Sequence, residues 1–148
     1  MELIRKPENP AKTYLRRYRA LVAQQESLQR AIDAAYARAT NITPRVKEIS
    51  VQASGAPDKV AEAVARIADE TERLRDVKAK VDAALADVLT AINQVPDEMQ
   101  RTVLLLRYVE GLEWKRVAEQ IHYEAANTYI LHGRALWAVK KWLEEKQV

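Results

Sequence analysis

The side chains that most often carry out chemistry in proteins are few in this sequence, and their spacing does not build a site. The 148 residues include no Cys and only two His, His122 and His132. These two lie in a predicted turn and in mid-helix, without the i, i+4 spacing of a helical metal site and without a thiolate nearby. No nucleophile with a base, no carboxylate pair in a pocket-forming context and no phosphate-cradling glycine loop is visible. We therefore expect no enzyme, no metal and no cofactor, and we expect His132 to be a buried, hydrogen-bonded core residue.

The composition predicts an all-α fold. Charged residues make up 30% of the chain, hydrophobic residues 48%, and there are only 3 Gly and 5 Pro, which is typical of long helices and coiled coils. Strictly apolar runs such as Val103–Leu106 are too short for a membrane span or a signal peptide. We expect a cytoplasmic protein that makes no membrane contact.

The net charge of +3 is unevenly distributed. Residues 1–56 carry 10 basic and 5 acidic side chains, residues 57–95 carry 6 and 8, and residues 96–148 carry 8 and 8. The basic excess is therefore N-terminal. It is far below the dense clusters that indicate a nucleic-acid binder on charge alone.

The first half of the chain predicts one long helix with a heptad pattern. Asn9 is placed to cap its start, with Pro10 at the first helical position. We expect the helix to end near Thr40, because the residue before Pro44 is disfavoured in a helix, and we expect residues of about 41–57 to form a connector. Two rows of the pattern face inward: Tyr14, Leu21, Leu28 and Ala35, and Tyr18, Gln25, Ile32 and Ala39.

A second helix, from near Asp58, has the most regular pattern in the sequence. A heptad held over five repeats indicates a seam buried against another helix in a left-handed supercoil. We expect an antiparallel, coiled-coil-like hairpin over residues 1–94, with Gln25 level with Thr71, that also forms a homodimer. The polar residues within the seam have two explanations. They select the register of the helix pair or specify a dimer, or else the ammonium group of Lys78 extends along its aliphatic stem to water and Gln25 lies at a solvent-exposed edge of the seam. The two predicted rows are Val60, Ile67, Leu74, Val81, Val88 and Val95, and Val64, Thr71, Lys78, Leu85 and Ile92.

Residues 95–148 predict a three-helix domain. Pro96, Asp97 and Glu98 open a helix whose apolar face is Met99, Val103, Leu106 and Tyr108, and Gly111 stops it. A helix at Glu113–Ile121, a short turn at His122–Tyr123 and a longer helix from about Ala125 to Leu143 follow. This is the order of a helix-turn-helix, although it is also common in ordinary helical bundles. We expect the aromatic residues Trp114, Trp137, Trp142 and Tyr123 to form the core of this domain rather than a platform for stacked bases.

The stretch Val95–Glu119, VPDEMQRTVLLLRYVEGLEWKRVAE, resembles region 4 of bacterial sigma factors, a domain that reads the promoter −35 element and docks on the RNA polymerase flap. The rest of the chain is similar to a family of small phage and prophage proteins described as sigma-region-4-like transcriptional regulators. That second likeness is carried by the segments Tyr14–Tyr18, Ile42–Pro44, Ser54–Gly55, Asp58–Val60, Ala63–Ile67 and Leu131–Leu136. The resemblance implies a DNA-binding regulator of transcription in the cytoplasm of a bacterial host, with double-stranded DNA and RNA polymerase as partners.

The same resemblance implies where DNA contacts would lie, and this sequence departs from it there. The family's recognition helix opens with a Ser or similar cap and carries basic residues outward, whereas this chain has Glu124, Ala126 and Ile130, with Thr128 facing inward. The remaining candidates are Asn127 for adenine, Tyr129 for a sugar or a thymine methyl, and Lys115, Arg116 and Arg134 for phosphates, unless these three cations are simply solvated surface charges. Binding to DNA should therefore be weak. The alternative is a protein-interaction module that binds RNA polymerase or another protein, which Ala126 and Ile130 favour.

Overall fold

The structure, a computed structural model, describes residues 7–49 and 56–147, with side chains at 7–40 and 58–147. Every regular element within these ranges is helical, so the predicted all-α class is confirmed. The elements in chain order are α1 (Pro10–Ile49), α2 (Ala56–Asn93), α3 (Glu98–Leu104), a π-helical turn (Leu105–Val109), α4 (Trp114–Ile121) and α5 (Ala125–Lys146).

Helix α1 begins where the sequence predicted and ends later. The Asn9 side-chain oxygen accepts a hydrogen bond from the Ala11 N–H at 3.0 Å, which is the expected cap. The helix does not end near Thr40 but continues through Pro44 to Ile49, and α2 already begins at Ala56. A proline inside a helix removes one hydrogen bond, and a helix that is already long can continue past that loss. Of the predicted connector at about 41–57, residues 41–49 and 56–57 are helical, and residues 50–55 lie outside the described residues.

Helix α2 confirms one of its two predicted rows and corrects the other. The row from Val60 to Val95 is half-buried at its start and buried from Leu74 onward. The second row is exposed over its first part, at Val64, Thr71 and Lys78, whereas Leu85 is half-buried and Ile92 is fully buried, as predicted. Inward-facing positions along a coiled-coil helix are separated alternately by three and four residues. In α2 the first step, from Val60, is three residues. The row that faces inward is Ala63, Glu70, Val77, Ala84 and Ala91.

The chain divides into two compact units, each described separately. One unit comprises Leu21–Val81, and the other comprises Met1–Ala20 together with Asp82–Val148. We call them the central unit and the terminal unit. The sequence-based division at residues 94 and 95 assigned the ends of both long helices to the hairpin, whereas the compact units group those ends with α3, α4 and α5.

In the central unit, each long helix buries one stripe. Ile32 and Ala35 of α1 are buried, as are Leu74 and Val77 of α2. Thr71, which the sequence places level with Gln25, is exposed, and its hydroxyl donates to the Ile67 carbonyl of its own helix at 2.7 Å. Among the described side chains of this unit, the large apolar residues Tyr36 and Val64 are exposed.

The terminal unit contains the main apolar core. Ala11 and Leu15, from the start of α1, share one buried cluster with the end of α2 and with α5. Burying apolar surface in this way is the dominant favourable contribution to folding. A second, smaller cluster joins α3, the π-helical turn and α4 through Val103, Leu106, Val117 and Ile121. The further buried members of the main cluster are Val88, Ala91, Ile92, Val95, Leu104, Tyr108, Ala135, Leu136 and Val139.

Candidate nucleic-acid interface

The segment leading into the candidate interface is fixed by local hydrogen bonds. Asp97, rather than Pro96, caps α3, since its side chain accepts from the Gln100 N–H at 2.9 Å. The helix widens into a π-helical turn in which the Glu110 N–H donates to the Leu105 carbonyl at 3.0 Å. Gly111 then ends it, as predicted, with a φ of +75° that L side chains rarely adopt. The Arg107 guanidinium donates to the Leu112 carbonyl at 2.9 Å and thereby ties this turn to the loop before α4.

A tight turn joins α4 to α5. His122 ends α4 in the left-handed conformation, with φ +60°, and the Tyr123 N–H donates to the Ala118 carbonyl at 3.1 Å. Helix α5 starts after Glu124, whose side chain makes no capping hydrogen bond. Thr128 lies inward, as predicted: it is 1% exposed and its hydroxyl donates to the Glu124 carbonyl at 3.0 Å. Two short-linked helices, the second one longer, therefore lie where the sequence predicted a helix-turn-helix.

All five predicted contact residues are exposed, but they do not form one cluster. Lys115 and Tyr129 line the same groove between α4 and α5, of about 560 Å³. Arg134 lines a different groove, beside Pro96 and Trp137. Arg116 and Asn127 are exposed on the first turns of α4 and α5. The set is thus spread over two helices, with exposed acids, Glu119 and Glu124, between them along the chain.

Tyr129 is held by a neighbour. Its ring centroid lies 5.2 Å from that of Trp114, and the Arg107 guanidinium lies 4.9 Å from the centre of the Trp114 ring. Aromatic pairs at this separation attract one another. Tyr129 therefore has less freedom to contact a sugar or base than its exposure alone indicates.

A buried polar pair underlies the turn. The Tyr108 hydroxyl and His132 Nε2 are 2.7 Å apart, and both side chains are buried, so the predicted role of His132 as a hydrogen-bonded core residue is confirmed. Burial, reinforced by the nearby cations Lys12, Arg107 and Arg16, lowers the pKa of His132 from 6.5 to about 4. Burial raises the pKa of Tyr108 to about 12. Both groups are therefore neutral at pH 7, and they form a structural hydrogen bond.

Two aromatic side chains were wrongly predicted to lie in the core. Trp114 and Trp142 pack against the buried clusters, but Trp137 is 65% exposed and Tyr123 is 43% exposed. The buried positions of α5 follow the steps of four and three residues through Thr128, His132, Ala135 and Val139, and Trp137 lies on the opposite side. The periodicity of the buried positions could have predicted from the sequence that Trp137 is exposed.

The opposite side of α5 is exposed and mostly uncharged over its first three turns. Ala126, Ile130, Gly133 and Trp137 follow one another along it, and Ile130 is 52% exposed. We call these four residues the outer face of α5. The sequence identified Ala126 and Ile130 as uncharged residues at positions where basic residues were expected. It did not reveal that this uncharged face continues to Trp137.

The described parts of the chain contain no group of three or more His, Asp or Glu side chains placed to hold a metal ion. Within the same parts, no helix has both the length and the apolar content needed to cross a membrane. No protein-family model, curated protein or solved structure matches the chain.

Proposed function

We propose that the chain is a phage-type, DNA-binding regulator of transcription that acts through a sigma-region-4-like helix-turn-helix formed by α4 and α5. The observation that carries the proposal is the turn at residues 122–124, which joins the two helices while leaving the first turns of α5 exposed. A helix presented in this way can enter the major groove of DNA. In this proposal α1 and α2 form an antiparallel helical hairpin, which is supported by the cluster that the start of α1 shares with the end of α2.

Each candidate residue has a defined role in such a complex. Lys115 and Arg116, on the first turn of α4, and Arg134 on α5 would contact phosphates and carry no sequence information. Asn127, on the first turn of α5, would read adenine through its amide. Tyr129 would act mainly by packing, because its ring lies against Trp114. The protein would act in the cytoplasm of a bacterial host, and homodimerisation through the hairpin stays a prediction.

The proposed binding is weak and depends little on sequence. Lys115, Arg116 and Arg134 supply few phosphate contacts, and Ala126 and Ile130 stand where a basic outer face would reach DNA. Non-specific binding of this kind typically has a Kd of roughly 10⁻⁴–10⁻⁶ M at physiological salt.

Restoring charge to α5 tests the proposal. The double change Ala126→Arg, Ile130→Arg should tighten binding to a labelled duplex and steepen its salt dependence by up to about 0.9 per added phosphate contact. The matched control is Ala65→Arg, Ala68→Arg, which adds the same charge at two exposed positions of α2. Fluorescence anisotropy at three salt concentrations would measure both. Equal gains from the two double variants, or none from the first, would contradict the placement of α5 against DNA.

The alternative function, a protein-interaction module that binds RNA polymerase or another protein, has one observation in its favour. Ile130 and Trp137 expose more than half of their surface on one helix face, and an exposed apolar patch is a feature of protein–protein interaction sites. Retention of RNA polymerase on the immobilised protein after nuclease treatment, and its loss with Trp137→Ala, would select this alternative.

A further inference from the structure

Three cations follow one another along one side of the start of α1. Lys12, Arg16 and Arg19 have the i, i+4, i+7 spacing that places residues on one face of a helix. We call these three residues the basic row. The row runs along the edge of the contact between α1 and the rest of the terminal unit, because each member comes one residue after a side chain that packs in or against the main cluster. Those side chains are Ala11, Leu15 and Tyr18.

The basic row meets a fourth cation, Arg107 of the π-helical turn. The Arg19 guanidinium lies against the loop before α4, since a Cβ built on Gly111 would be 2.7 Å from Arg19 Nε. The Arg107 guanidinium holds the same loop from its other side through the Leu112 carbonyl, at 2.9 Å. The folding of the terminal unit thus groups cations that lie far apart in the sequence.

These cations gather around a buried, neutral pair. Burial is the first cause of the lowered pKa of His132, and the charges of Lys12, Arg107 and Arg16 are the others. Arg16 and Arg107 also act on the pKa of Tyr108, against the effect of burial. Like charges gathered in this way repel one another and oppose the compact state. Their grouping therefore does not stabilise the fold.

Acids offset this positive charge only in part. Arg16 forms an ion pair with Glu8. Glu110, which precedes the glycine of the loop, is exposed. Among the side chains that the structure describes, three of the four cations form no ion pair with an acid: Lys12, Arg19 and Arg107. A surplus of positive charge at one place on the surface attracts anions.

The surplus borders the candidate nucleic-acid interface. The Arg107 guanidinium lies 4.9 Å from the centre of the Trp114 ring, and that ring lies 5.2 Å from Tyr129. Tyr129 lines the groove between α4 and α5 together with Lys115. A duplex in this groove is therefore adjacent to Arg107 and, beyond it, to the basic row. The anions that a duplex offers are phosphates.

We propose that the basic row and Arg107 bind the phosphate backbone of double-stranded DNA, as a second contact outside the turn between α4 and α5. The row extends over about 10.5 Å, given a rise of about 1.5 Å per residue. One DNA strand carries a phosphate about every 3.4 Å along the duplex axis, so the row can reach about three successive phosphates. The contact positions the duplex and reads no sequence. The identity of the polyanion rests on the proposed function.

Neutralising two cations of the row tests the contact. The double change Lys12→Gln, Arg19→Gln removes two charges that have no ion pair among the described side chains, and circular dichroism checks that the variant remains helical. One phosphate contact contributes up to about eight-fold in affinity at 0.1 M salt. We therefore expect binding to a labelled duplex to weaken about five- to sixty-fold, and its salt slope to fall by up to about 1.8. Fluorescence anisotropy at three salt concentrations measures both.

Two further variants are matched controls. Arg30→Gln, Arg38→Gln removes the same charge from exposed positions of α1 in the central unit. Arg30 lies about 16 Å along the helix from Arg19, which exceeds the screening length of about 10 Å at 0.1 M salt, so affinity should change less than about two-fold. Lys12→Arg, Arg19→Lys keeps both charges and should bind like the wild type. It separates the effect of charge from the effect of changed packing.

The possible results are decisive. A wild type that binds no duplex, an unchanged affinity in Lys12→Gln, Arg19→Gln, an equal loss in the central-unit control, or an equal loss in the charge-conserving variant would each overturn the proposal. It also fails separately from the proposed function. A loss in Lys12→Gln, Arg19→Gln without a gain from Ala126→Arg, Ile130→Arg supports the basic row and contradicts the placement of α5 against DNA, whereas the reverse result overturns the basic row alone.

Discussion

Gly111 and Gly133 should respond with opposite signs to the same substitution. Gly111 has a φ of +75°, and a Cβ there would lie 2.7 Å from Arg19 Nε. Holding an alanine in the left-handed region costs about 1–2 kcal/mol, whereas the arginine side chain can rotate away at smaller cost. We expect Gly111→Ala to lower the free energy of unfolding by about 1–2 kcal/mol, which for a chain of this size corresponds to a fall in Tm of roughly 2–8 °C.

Gly133→Ala is the control. This glycine has a helical backbone and open space around its Cα, so alanine should raise the free energy of unfolding by up to about 1 kcal/mol. Urea unfolding followed by circular dichroism, at concentrations where the chain is monomeric, measures both changes. Most of the cost of Gly111→Ala should persist in an Arg19→Ala background, since it comes from the backbone. A Gly111→Ala variant as stable as the wild type would refute the reasoning.

Four further predictions concern burial, protonation, a buried hydrogen bond and capping. Leu74→Ala should destabilise by about 2–5 kcal/mol, while Val64→Ala, on the exposed side of the same helix, should change stability by less than about 0.5 kcal/mol in urea unfolding. The free energy of unfolding should fall as the pH drops from about 6.5 toward 4, because in that window the unfolded chain protonates His132 and the folded chain does not; the slope is at most about 1.4 kcal/mol per pH unit and should shrink in His132→Asn. Tyr108→Phe should cost about 1–3 kcal/mol by leaving the buried imidazole without its partner. Glu113→Ser should raise Tm, with a gain of about 0.5–1 kcal/mol, since Glu113 begins α4 without a side-chain hydrogen bond; an unchanged Tm would place the cap elsewhere.

Local signals predicted the ends of several helices correctly. Asn9 and Pro10 start α1, and Gly111 ends the segment that begins at Asp97, because capping and left-handed φ depend on a few neighbouring residues. Pro44 shows the limit of that approach. The preference against helix before a proline is modest, and a preceding helix of many turns overrides it.

Features that depend on a partner helix were harder to predict. Val64 and Ala63 differ by one position, and hydrophobicity favoured the valine, but Val64 is exposed and the smaller Ala63 is half-buried. Trp137 is among the largest apolar side chains of α5 and was expected inside, yet the steps from Thr128 to Val139 already fill the inward face. The π-helical turn at Leu105–Val109 gave no sequence signal, because widening a helix by one residue changes no composition.

The terminal unit is discontinuous in sequence, and this has a consequence for how the protein is made. The main cluster needs Ala11 and Leu15 as well as Leu136 and Val139, so the start of α1 lacks part of its core until α5 has been translated. A fragment that begins at residue 95 would leave the apolar side of α5 without the residues of α1 and α2 that pack against it. The central unit, from Leu21 to Val81, is by contrast an insertion within the terminal unit. Heptads removed in pairs from its two helices would shorten the insertion while keeping every residue of the terminal core.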